Sequence, residues 1–163
     1  MNRYPLIIND YAKIDSSNCY DILLSADNLL KGFMSTKKGV KWKESIQYYD
    51  YNLIERIFKL ISDLETYTYK IGKTYEFDLD ERGKKRHIKA PAVNDRVVHH
   101  VLCDDILMPI LLKYLIFDNG ASIKHKGLDF ARNRFTEHLH KYWKNHQTNE
   151  GYILLIDFSK FFR

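Results

Sequence analysis

Between residues 73 and 90 the apolar pattern changes period, and that change limits the folds open to this chain. Tyr75, Phe77 and Leu79 alternate with Glu76 and Asp78. Residues 84–90 alternate again after Asp80-Glu81-Arg82-Gly83, a turn signal, and Pro91 stops the run. A period of two with a Gly-bearing turn between two runs predicts a β-hairpin with a charged tip. Residues 18–32, 50–66, 94–117 and 127–145 read at helical spacing. A hairpin set among helices makes the class α+β rather than all-helical.

The helical stretches follow from their apolar stripes. Residues 18–32 carry Tyr20, Leu23, Leu24, Leu29 and Leu30, with caps available at Ser16-Ser17-Asn18 and an end near Gly32. Residues 35–43 form a basic loop. Residues 50–66 line up Leu53, Ile54, Ile57, Leu60, Ile61 and Leu64 behind Asp50, which is placed to cap that helix. A mostly apolar helix is predicted from Asn94 to Phe117, with Asp95 in its first turn and a kink at Pro109. A loop over 118–127 precedes a helix over 127–145, whose core positions are Phe130, Phe135, Leu139 and Tyr142. Then 152–156 (Tyr-Ile-Leu-Leu-Ile) is an apolar run of buried-strand type that ends at Asp157.

At 163 residues and 45% hydrophobic the chain has enough material for one core. It holds no apolar run of the roughly 18 residues a membrane helix needs. Its first residues lack the pattern of a signal peptide. Two cysteines, Cys19 and Cys103, cannot make a disulfide framework, which favours a reduced, cytoplasmic setting. The net charge of +5 is unevenly spread. Residues 82–149 hold 13 Lys/Arg against 6 Asp/Glu, a local +7, while residues 1–81 hold 11 against 13. Such a basic middle fits a polyanionic partner, and it equally fits a solvated surface.

Asp157 is the sharpest chemical candidate. An aspartate at the end of a buried strand is rigidly held and can present one carboxylate to a pair of Mg²⁺ ions about 4 Å apart. A helix N-cap following a strand is the competing role. His99, His100 and Cys103, or His138 and His140, could suggest zinc, but no second pair has the spacing of a structural site. The glycines around 120–127 lack the phosphate-loop signature.

Five segments, taken in order, resemble a reverse transcriptase of the bacterial kinds: group II intron, retron, diversity-generating and phage-defence enzymes. They are Lys85-Arg86-His87-Ile88 with Pro91; Asp95-Arg96-Val97-Val98; Pro109; Gly120-Ala121-Ser122-Ile123-Lys124 with Gly127; and Tyr152 followed by Asp157, Phe161 and Phe162. The resemblance covers about residues 65–163. It implies the helical fingers of a right-hand polymerase with a β-hairpin and the first palm strand. Residues 1–66 would be an N-terminal helical extension, 67–150 the fingers, and 151–163 the start of the palm.

The resemblance also implies roles. Arg86, helped by Lys84 and Lys85, would hold the triphosphate of an incoming dNTP, a task suited to a bidentate, permanently charged guanidinium. Lys124 would approach the nucleotide from a second motif. Ile88 would pack on the templating base, and Gly127 would let the backbone pass close to the template. Asp95 and Arg96 would serve structure, as a helix cap and a salt bridge, with a template contact by Arg96 as second choice. Asp157 would be the first metal aspartate, the Phe158 carbonyl would touch a metal, and Phe162 would be a steric gate against a ribose 2′-OH. Phe161 would pack in the core.

The partners implied are an RNA template and a DNA primer, with two Mg²⁺ ions as cofactor. The family's remaining catalytic carboxylates, on a Tyr/Phe-x-Asp-Asp hairpin, have no counterpart here. The Asp pair after Cys103 lies upstream, inside a helix. The 163 residues therefore read as an N-terminal fragment that binds without polymerising. The alternatives are a non-catalytic RNA- or DNA-binding module, a degenerate remnant, and a structural protein whose basic surface serves solubility. An unpaired strand at 152–156 predicts self-association.

Overall fold

A computed structural model describes residues 18–158. The chain has mixed α and β structure, with one two-stranded antiparallel sheet among the described residues. It divides into two compact units between Tyr114 and Leu115.

The first unit contains α1 (Cys19–Leu24), α2 (Ala26–Lys37), α3 (Glu44–Tyr51), α4 (Leu53–Glu65), β1 (Tyr75–Glu81), β2 (Lys84–Ala90), α5 (Val93–His100) and α6 (Met108–Leu111). The single helix expected over 18–32 is two helices broken at Ser25, whose backbone is extended. The second continues through Gly32 to Lys37, so the predicted loop starts later than residue 35. Gly32 is not a stop signal but a crossing point. A Cβ there would lie 2.8 Å from the Val97 carbonyl oxygen of α5, so only glycine allows this approach.

α3 lies mostly where the sequence pattern predicts no helix. Its inward stripe is only Ile46 and Tyr49, too short to register as a period. Asp50 lies inside α3 and pairs with Lys37 at 3.2 Å, so it does not cap α4. α4 buries Ile57, Leu60 and Leu64 and partly buries Leu53 and Ile61, but Ile54 of the expected stripe faces outward and is exposed. Its last turn closes with Tyr67 in the left-handed region and the Thr68 amide donating to the Asp63 carbonyl. The core joins these helices: Leu29 and Phe33 from α2, Ile46 and Tyr49 from α3, and Val97, Val98 and Val101 at and after α5. The Phe33 and Tyr49 rings stack at 4.9 Å. Burial pushes the Tyr49 hydroxyl up to about 12.

The helix expected over 94–117 stops at Leu111. Between α5 and α6, residues Val101–Leu107 form a wider π-helical segment. It ends two residues before Pro109, which has no N–H for the carbonyl four residues back and whose ring would collide with it in an α-helix.

The second unit holds a turn-rich loop and α7 (Leu128–His146). Lys126 organises it. Its ammonium donates to the Phe117 carbonyl at 2.6 Å and lies over the Phe117 and Phe130 rings, 4.4 and 4.8 Å from their centroids. Arg134 and His138 of α7 both hold the Asp118 carboxylate, at 2.5 and 2.6 Å. Those hydrogen bonds, from Arg134 first, hold the Asp118 carboxyl down to about 2. Of the four predicted core positions on α7 only Phe130 is buried; Phe135, Leu139 and Tyr142 are exposed. The face of α7 that packs on its own loop is the one carrying Phe130, Arg134 and His138, not the longer apolar stripe.

The expected palm strand is absent. None of residues 151–158 is in a helix or paired in a sheet, and the side chains of 152–156 are exposed. A strand forms against a neighbour that accepts its backbone hydrogen bonds, and the described residues contain no third strand to supply one.

Candidate nucleic-acid interface

The hairpin carries most of the candidate residues. Its loop is Arg82-Gly83, with φ of 54° and 77°, as a two-residue type I′ turn requires. The register is set from Tyr75 opposite Ala90 to Glu81 opposite Lys84. Side chains alternate across the ribbon, so the register sorts the candidates by face. Lys84, Arg86 and Ile88 share one face with Tyr75, Phe77 and Leu79. Lys85 stands on the opposite face, across from Asp80. The expected basic trio is therefore a pair, Lys84 and Arg86, with Lys85 turned away.

The two faces differ in chemistry. On the Lys85 face, His87 places Nδ1 2.8 Å from Asp78 and Nε2 3.2 Å from Glu76, and Lys89 reaches Glu76 at 3.3 Å. Both ring nitrogens face carboxylates, an arrangement that an imidazolium satisfies with two donated hydrogen bonds. Hydrogen bonds to Asp78 and then Glu76 raise the His87 pKa, and those from His87 and then Lys89 lower that of Glu76. On the other face Arg86 forms an ion pair with Glu81 at 2.8 Å. Ile88 is half-buried, and the Tyr75 and Phe77 rings lie 5.7 Å apart. This face joins a guanidinium to an apolar and aromatic surface.

The root of the hairpin is tied to the helices by Asp95. Its side chain is 2% exposed. It accepts a hydrogen bond from the Tyr69 hydroxyl and another from the Gly72 amide at 3.0 Å. Burial first, and this bond second, raise the Tyr69 hydroxyl pKa. A Cβ on Gly72 would lie 2.7 Å from that of Ala92. The structural role expected of Asp95 holds, but the form differs: Ala92 is the N-cap of α5, and Arg96 is not its partner. Arg96 instead donates to the Thr36 carbonyl in the last turn of α2 at 2.9 Å. Tyr69 and Gly72 carry no local sequence signal, since neither belongs to a turn pair or an apolar stripe.

In the second unit, Lys124 is exposed in the loop and makes no ion pair among the described residues. Gly127, next to α7, has an extended backbone, and a Cβ there would meet nothing within 4 Å. The fold does not require glycine at that position. Asp157 and Phe158 are exposed in the segment without regular structure. Phe162 and Phe161 lie outside the described residues.

Two Mg²⁺ ions need several carboxylates arranged together. Among the described residues no group of three or more His, Cys, Asp or Glu side chains is placed to hold a metal ion. These residues do not fit a two-ion centre. No helix among them is long and apolar enough to cross a membrane. No protein-family model matches this chain, and no curated protein matches it.

Proposed function

We propose that this chain is the nucleotide- and template-gripping part of an RNA-directed DNA polymerase, acting in the cytoplasm on RNA template, DNA primer and dNTP. One observation supports this most: a type I′ hairpin presents Lys84 and Arg86, the latter paired with Glu81, beside Ile88, Phe77 and Tyr75 on one face, while His87 and Lys89 are paired with Asp78 and Glu76 on the other. Phosphate oxygens suit the cations, and a base suits the apolar surface. Lys124, on the loop of the second unit, would make a phosphate contact of its own.

The test is binding of a dNTP and of a template-primer duplex to the chain and to two variants. Arg86→Ala weakens triphosphate binding about tenfold, the scale of one charge-assisted contact. Lys85→Ala, on the far face, leaves it nearly unchanged. Equal losses in both variants would contradict the assignment of faces.

A non-catalytic RNA- or DNA-binding module is the second reading. It is favoured by the lack of strand structure around Asp157. Primer extension by the chain would eliminate it, and salt-sensitive binding without extension is what it predicts.

A further inference from the structure

We propose that the turn over residues 37–43 is a separate contact for single-stranded nucleic acid, with Trp42 as a stacking platform and Lys38, Lys41 and Lys43 on phosphates. This turn lies outside the segments that resemble a polymerase.

Its backbone is fixed by a chain of short-range bonds: the Lys38 amide donates to Ser35, Val40 to Lys37, and Lys43 to Val40, at 3.1–3.2 Å. Gly39, at φ +76°, supplies the left-handed residue the turn needs. Val40 turns inward and packs against the core. Trp42 turns outward and is 73% exposed. The Lys43 ammonium lies 5.6 Å from its ring centroid. Lys37 is engaged by Asp50 and sits over the Phe33 ring, so it belongs to the fold. Lys38, Lys41 and Lys43 make no ion pair among the described residues. Glu44 is the single carboxylate in 37–47.

A large indole held in water on an ordered turn, with three cations beside it, matches the two needs of a single strand: a π-surface for a base and charge for its backbone. An acidic peptide would use the lysines but leave the ring without a partner. A bilayer would take an indole with apolar neighbours, and here Val40, the turn's other apolar side chain, faces the core.

The probe is a twelve-residue oligouridine added to a Trp143→Phe chain, in which Trp42 is the remaining tryptophan. Stacking quenches its fluorescence. Trp42→Ala lowers affinity about tenfold, the scale of one stacked base. Lys38, Lys41 and Lys43 changed together to Gln reduce the salt slope of log affinity by about 2, near 0.7 per lost phosphate contact. The variants alter exposed side chains, and an unchanged far-UV circular dichroism spectrum verifies that the fold is kept. Arg86→Gln leaves the quenching in place, so this site and the hairpin succeed or fail separately. Oligouridine binding with unchanged Trp42 emission, an unchanged slope in the triple variant, or quenching lost with Arg86→Gln would each overturn the proposal. So would a response only to phosphatidylserine vesicles or to polyglutamate.

Discussion

Asp95 shows how much one buried carboxylate can fix. It receives a hydroxyl and an amide from residues 26 and 23 positions upstream, and so joins the approach to β1 to the helix that follows β2. Asp95→Ala leaves both donors without an acceptor and is expected to destabilise the first unit by about 2–4 kcal/mol. Gly72→Ala presses a methyl into Ala92 and is expected to cost about 1–3 kcal/mol. Urea titration of each variant measures both effects. Losses under about 0.5 kcal/mol would mean that the clasp is not formed in solution. The sequence marked Asp95 as structural because it stands in the first turn of an apolar helix. Its partners were illegible because nothing in a local pattern points 26 residues back. The partner of Arg96 was illegible for the same reason: its acceptor, the Thr36 carbonyl, lies 60 residues away.

At the level of elements, the hairpin was legible because its period, turn and stop are all local. The apolar stripe of α4 was legible likewise. The run at 152–156 was not, since its composition says that it can be a strand and only a neighbouring strand makes it one. Two predictions belong here. Arg82 holds a left-handed φ that asparagine adopts more readily, so Arg82→Asn stabilises the turn by about 0.5–1 kcal/mol, seen as slower amide exchange across β1 and β2. His87 makes the pairing depend on pH. Its folded pKa is raised, so its contribution is complete below the unfolded value of about 6.5 and fades as pH rises through the folded value. That of Glu76 is lowered, so its share is present above about pH 4.3 and is lost as pH falls. The ion-paired face is therefore tightest between these limits. NMR titration of the His87 ring is expected to give a midpoint above 6.5; one at or below it would contradict the double pairing.

For the whole molecule, the run at 152–156 stands out as five consecutive exposed apolar side chains. Its backbone and apolar side chains offer an edge to another copy, so the chain is expected to self-associate with rising concentration. Leu154→Lys should return it toward monomer. Light scattering that finds the unaltered chain monomeric at high concentration would contradict this. The hairpin has a consequence of another kind. Its first strand carries Glu76, Asp78, Asp80 and Glu81, and its second carries Lys84, Lys85, Arg86 and Lys89 as well as His87. The acidic strand thus imitates a polyanion already bound to the basic one. An arriving phosphate must compete with this internal rival, and salt weakens the rival along with the guest. Counting phosphate contacts from salt dependence would then give a number smaller than the number of cations that make them.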